Sequence, residues 1–176
     1  MGNLYARILN RESKWGKSKL ILEKLGLEPF QKVADIGAGG GYFAFQFAKQ
    51  VQKVYALDIR QRFLDYINEK AGKEGIDNIE TVLIKNKVLL PEKVDLIFLR
   101  NVYHHLKTEN RIEYFRKLKE HLDKKGRLAI LEREKTKTLS HGTKKQIILD
   151  ELKEAGYRIV KDYDILSKQN FLIFKI

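Results

Sequence analysis

The sequence predicts an α/β fold: a doubly wound, seven-stranded, mostly parallel sheet whose last two strands pair antiparallel. Three observations predict it. Short apolar runs alternate with amphipathic stretches along most of the 176 residues, the pattern of strands alternating with crossover helices. A glycine cluster, Gly37, Gly39, Gly40 and Gly41, follows directly on the first apolar run. The last two apolar runs are joined by only a short polar link, SKQN, too short for a helical crossover, so they must pair antiparallel.

The elements follow in order. Val33–Ile36 is the first strand, and a helix runs from about Gly41 to Gln50. The second strand is Val54–Asp58. The next helix carries Phe63, Ile67 and Ala71 on one face and stops near Gly72 and Gly75. A third strand lies near Ile79–Ile84. Pro91 interrupts the chain before Val94–Leu99, a fourth strand apolar but for Asp95. Glu109–Lys124 reads as a helix with Ile112, Phe115, Leu118 and Leu122 inward. Gly126 precedes the fifth strand, Arg127–Leu131. Thr143–Ala155 reads as a helix burying Ile147, Ile148, Leu152 and Ala155, with Gly156 as its stop. Tyr157–Ile165 and Phe171–Lys175 are the closing pair.

Composition bounds the function. With 43% hydrophobic residues the chain is expected to be one domain, residues 31–176, preceded by a helical cap segment, residues 1–30. It has no cysteine, which excludes disulfides, thiolate metal sites and cysteine nucleophiles. No long apolar stretch reads as a signal peptide or membrane span, so a cytoplasmic protein is expected. The net charge of +12 fits either an anionic partner such as nucleic acid or the Lys/Glu-rich surface of a heat-adapted protein. The charge is spread from end to end, with denser stretches at Arg7–Lys24 and Arg133–Lys145.

The glycine region carries the chemistry. Glycines let backbone approach a ligand closely, or merely serve a tight strand-to-helix turn. Asp58 stands 21 positions after Gly37, at the end of the second strand, where an acid accepts hydrogen bonds from a ribose diol or is simply solvated. The dinucleotide fingerprint G-x-G-x-x-G would need glycine at position 42, which is Tyr. The spacing is instead G-x-G-x-G, with Asp35 two residues ahead. That carboxylate would repel a pyrophosphate and suits a cationic ligand end.

Val33-Ala-Asp-Ile-Gly-Ala-Gly-Gly-Gly41 resembles the first motif of the class I S-adenosylmethionine-dependent methyltransferases. The resemblance implies a Rossmann-like sheet in the strand order 3-2-1-4-5-7-6, with S-adenosylmethionine as cofactor. It implies that Gly37, Ala38, Gly39 and Gly41 cradle the methionyl part, with Asp35 near its amino group. Asp58 would take the ribose hydroxyls, and Ile59 would pack on adenine. Asn86 stands where the family carries an acid for the adenine amine, an amide in place of a carboxylate. Asn101 is counted with the cofactor residues.

After the fourth strand, Arg100-Asn-Val-Tyr-His-His-Leu106 resembles the segment of ubiquinone/menaquinone-type small-molecule methyltransferases. Tyr103, His104 and His105 are the candidate catalytic residues. An imidazole titrates near neutrality and suits a general base, while one histidine of such a pair is structural. Glu132 and Arg133 could line the same pocket. His121 and His141 lack metal-ligand spacing, so no metal is expected. Base-amine methylation is disfavoured, since no proline-rich amine motif follows the fourth strand. The resemblance therefore implies a small-molecule acceptor. An RNA or protein acceptor docked on the basic stretches and a catalytically silent cofactor-binding protein are the alternatives. Oligomeric state is left open.

Overall fold

The computed structural model describes residues 17–85, 87–136, 141–164 and 167–176. The chain divides into two compact units, Met1–Pro91 and Glu92–Ile176.

In the first unit β1 (Lys32–Ile36), β2 (Lys53–Asp58) and β3 (Ile79–Leu83) lie in the order 3-2-1, all parallel. Nearly every residue of β1 and β2 is buried, as expected of parallel strands covered on both faces. β3 is only half-buried along its length. The helices are α1 (Ser18–Leu25), α2 (Tyr42–Ala48) and α3 (Gln61–Glu74). α3 buries Phe63, Leu64, Ile67 and Ala71 and ends at Gly75. There a left-handed φ of 65° lets the Gly75 N–H cap the carbonyls of Ala71 and Gly72. The first residues of α1 and α2 are tied together by a buried hydrogen bond of 2.8 Å between Ser18 Oγ and Tyr42 Oη.

In the second unit β4 (Val94–Arg100), β5 (Leu122–Arg133), β7 (Gln169–Lys175) and β6 (Arg158–Tyr163) lie in the order 4-5-7-6. β4 and β5 are parallel, and β7 runs antiparallel to both β5 and β6. The helices are α4 (Arg111–Leu118) and α5 (Lys145–Glu154). The fold is thus α/β, a Rossmann-like seven-stranded, mostly parallel sheet with an antiparallel C-terminal pair.

Four local expectations are corrected. The helix expected over Glu109–Lys124 holds its α form only from Arg111 to Leu118, between two short 3-10 turns. Leu122 begins β5 instead, where it pairs with Val94 and is buried. Leu96 then pairs with Arg127, so β5 bulges over 123–126. A Cβ on Gly126 would lie 2.9 Å from the Asp123 carbonyl oxygen, so the bulge requires glycine there. Ile112 is only half-buried, because Arg111 takes the inward position on α4. Ile147 is exposed on α5, and Ile148 and Leu152 make its buried face. Of the closing pair, Ile165 falls outside the described residues.

Candidate functional site

The glycine turn of the first unit folds back onto the end of β2. The Gly37 and Ala38 N–H groups both donate to the Leu57 carbonyl, at 2.8 and 2.9 Å. Gly37, Gly39 and Gly41 have φ of 77°, 54° and 78°, the left-handed region that side chains disfavour. The glycines do not share one role, however. A Cβ on Gly41 would lie 2.8 Å from Ile67 Cγ1 and 3.1 Å from a Phe45 ring carbon. Its missing side chain lets α2 pack on α3, so Gly41 is a packing glycine.

Asp58 organises this turn. Its Oδ2 accepts from the Gly39 N–H and its Oδ1 from the Arg60 N–H, both at 2.9 Å. Each carboxylate oxygen has a second lone pair for a ligand hydroxyl. Asp58 is buried, and Ile59 beside it is 68% exposed, an apolar side chain held out next to a buried carboxylate. Asp35 is buried on β1 and pairs in register with Ala56. Asn86 lies outside the described residues. A backbone cradle, a carboxylate with spare lone pairs and an exposed apolar neighbour fit a nucleoside with a cationic tail.

The second unit holds the histidine pair. Asn101, just past β4, has a left-handed φ of 52°, and its N–H donates to the Leu131 carbonyl at 2.8 Å. Tyr103–His105 form a single 3-10 turn. His104 Nδ1 lies 2.7 Å from Glu132 Oε1, and the Arg133 N–H donates to the same oxygen at 3.1 Å. The Glu132 side chain is 0% exposed and that of His104 is 14% exposed. A carboxylate only accepts, so Nδ1 carries the proton of this bond, and in the neutral ring the lone pair falls on Nε2. His105 is exposed, with its ring centroid 4.0 Å from that of His104.

Tyr103 is a core residue, contrary to the expectation that it shares the histidines' role. It is fully buried, stacks on Phe115 at 5.2 Å, and donates its hydroxyl to Glu151 Oε2 at 2.5 Å. Arg111 Nε lies 3.1 Å from the same Glu151 oxygen, and the guanidinium sits 5.2 Å from the Tyr103 ring centre. Burial, and then the Glu151 bond, push the Tyr103 phenol up, so it remains a donor. Its side chain anchors the histidine turn to α4 and α5.

The basic stretch after β5 has a closed neck. The Thr143 N–H donates to the Arg133 carbonyl at 2.9 Å, and Glu134 Oε2 accepts the Lys145 N–H at 3.0 Å. Glu134 Oε2 also accepts from Asn170 Nδ2, at 2.5 Å. Arg133, Lys135 and Lys144 are exposed, whereas Lys145 Nζ is paired with Asp162 at 2.9 Å. His121 lies in the 3-10 turn after α4 and not within that helix. Among the described residues no group of three His, Cys, Asp or Glu could hold a metal ion.

Sequence spacing reveals neither the His104–Glu132 pair, 28 residues apart, nor the Tyr103–Glu151–Arg111 cluster. The one local signal for Glu132 is an acid directly after the apolar run Leu128–Leu131.

The methyltransferase-domain family matches residues 33–126, more than half of the chain, and the chain belongs to that family. A SAM dependent methyltransferase from Aquifex aeolicus has the same fold, with a TM-score of 0.80 at 26% identity over 98% of this chain and 96% of that one. An S-adenosylmethionine-dependent methyltransferase from Clostridium acetobutylicum ATCC 824 aligns with a TM-score of 0.79 at 14% identity, covering 99% and 98%. The DhpI protein of a DhpI–SAM–HEP complex aligns with a TM-score of 0.79 at 13% identity, covering 99% and 92%. At those two lower identities the likeness is one of fold. No curated protein matches the sequence.

Proposed function

We propose that this chain is an S-adenosylmethionine-dependent methyltransferase acting on a small-molecule acceptor. The observation that carries the cofactor is Asp58, a buried carboxylate tied to the left-handed Gly39 with lone pairs to spare, beside the exposed Ile59. Family membership and the G-x-G-x-G spacing support the same cofactor.

When bound, the cofactor supplies a methyl group on a cationic sulfur, already activated for transfer. The chain's residues then orient and desolvate. Gly37, Ala38 and Gly39 offer backbone to the methionyl part, and Asp35 faces its ammonium. Asp58 accepts the ribose hydroxyls, Ile59 covers the adenine, and Asn86 accepts the adenine amine. Asn101 contributes at the end of β4. His104 is the general base, taking the acceptor's proton on Nε2 while Glu132 holds Nδ1–H. His105 shields the outer side of that ring. Tyr103 acts through His104, by fixing the turn that carries it.

The small-molecule reading rests on the histidine segment and on the Arg133–Thr143 neck, beside which Arg133, Lys135 and Lys144 are the exposed bases among the described residues. Among the described residues no helix is long and apolar enough to cross a membrane, and we assign the protein to the cytoplasm. The test is incubation with methyl-labelled cofactor and fractionated extract. Label is expected in small molecules. Label entering RNA or protein instead would overturn the acceptor class, and an absence of transfer despite cofactor binding would make the protein a silent binder.

A further inference from the structure

Glu132 and Asn101 each present a buried polar atom with no partner among the described residues. Glu132 Oε1 carries both the His104 ring and the Arg133 N–H, yet Oε2 of the same fully buried carboxylate meets no donor. Asn101 Oδ1 is likewise buried and unpartnered. Buried acceptors left without donors are rare, because their lost hydration is not replaced. The two residues belong to one place in the sheet. β4 and β5 are in register at Arg100 and Leu131, and the Asn101 N–H donates to the Leu131 carbonyl. The two residues therefore stand next to each other, one step past the paired ends. Asn101 also holds a left-handed φ of 52°, a conformation that costs free energy in a non-glycine residue and gathers at functional positions.

The chemistry of the pair selects its ligand. Both atoms only accept, so the ligand must donate. One of them belongs to a carboxylate out of contact with water, which favours a donor carrying positive charge over a neutral hydroxyl. Through Oε1 the same carboxylate orients His104, so the group held at Oε2 lies beside the proposed base.

We propose that Glu132 and Asn101 form the anchoring subsite for a protonated primary amine carried by the methyl acceptor. This rests on the small-molecule reading above. It narrows the acceptor to amine-bearing compounds and gives Glu132 two tasks, one on each oxygen.

The test is a titration of the full chain, saturated with S-adenosylhomocysteine, with n-butylammonium and with n-butanol. The ammonium should bind the wild type about tenfold more tightly than the alcohol, the scale of a hydrogen bond to a charged group. Glu132→Gln should abolish that preference. Asn101→Gly, which tolerates the same φ, should reduce it several-fold, and it carries the test if Glu132→Gln does not fold. Affinity for S-adenosylhomocysteine should be unchanged in Glu132→Gln, whose residue lies outside the proposed cofactor contacts. Equal binding of the two probes to wild type would overturn the proposal, since the acceptors would then hold only water. So would a preference kept in both variants. Loss of S-adenosylhomocysteine affinity in Glu132→Gln with 5′-methylthioadenosine affinity intact would overturn it too, because the ammonium held by Glu132 would be the cofactor's own. Failure of the cofactor reading shows separately, as wild type that binds no S-adenosylhomocysteine. The probe comparison is then read on the protein alone.

Discussion

Replacing Asp58 by Ala should weaken the protein twice, and the two effects can be measured apart. In the ligand-free chain the carboxylate accepts backbone N–H bonds from Gly39 and Arg60, both at 2.9 Å. A hydrogen bond to a charged group contributes about 1.5–3 kcal/mol. The freed N–H groups at this turn regain some water, so the pair together should cost about 1.5–3 kcal/mol of stability. In a chain of this length that lowers the unfolding midpoint by about 3–10 °C. On the proposed cofactor reading, binding should lose the ribose contacts as well, about 1.5–3 kcal/mol more, or about ten- to a hundredfold in dissociation constant. Asp58→Asn keeps an oxygen acceptor at one of the two positions and should show about half of each effect. Thermal unfolding without ligand reads the first effect, and calorimetry with S-adenosylhomocysteine reads the second. An unchanged midpoint would mean that the two bonds do not hold the turn. Normal affinity in the Ala variant would remove the nucleoside from this edge of the sheet.

The remaining predictions address the other parts of the two units. Gly41→Ala should destabilise by about 1–3 kcal/mol through overpacking, since its Cβ meets Ile67 at 2.8 Å and its φ is 78°; chemical denaturation measures this. His104→Ala should lower turnover by about 10²–10⁴-fold with cofactor affinity kept, whereas exposed His105→Ala should do much less; steady-state kinetics with a found acceptor separates them. Tyr103→Phe tests the raised phenol. The folded chain holds that proton above the ordinary value of 10.0, so the contribution is complete below about pH 10 and declines as the pH rises further. The stability gap between wild type and Phe variant should therefore shrink above about pH 10, and a gap that widens there would refute the cause assigned. RNA titrated at two salt concentrations should bind weakly, and a Lys135, Lys137, Lys144 and Lys145 to Gln variant should change that little. Tight binding at physiological salt that collapses in this variant would instead mark a nucleic-acid partner.

What was legible in the sequence is what lies close together along the chain. β1, the glycine turn and the acid ending β2 occupy one βαβ unit, and their spacing reports the geometry directly. The stop of α3 is legible for the same reason, because glycine at a left-handed C-terminus acts within one turn. The corrections come from tertiary contacts that override local pattern. Leu118 and Leu122 stand four apart, as on a helix face, but pairing with Val94 draws Leu122 into a strand. Ile147 and Ile148 look equivalent in the sequence, and only the packing of α5, which buries Ile148 together with Leu152, settles which of the two is covered.

The second unit makes the same point about function. Tyr103, His104 and His105 are consecutive and look interchangeable as site residues, yet one 3-10 turn sends them to three environments. Tyr103 enters the core, His104 meets a buried acid, and His105 stays in solvent. No spacing rule announces that Glu132, 28 residues on, is the acid that fixes the middle ring. It becomes visible only when β4 and β5 are brought into register, with Arg100 against Leu131. That register also brings Asn101 beside Glu132, and with it the second unpartnered acceptor. Fold and nucleoside site are therefore written locally in the first unit. The polar cluster of the second unit is written across strands, in the register that sets Glu132 against the His104 turn and beside Asn101.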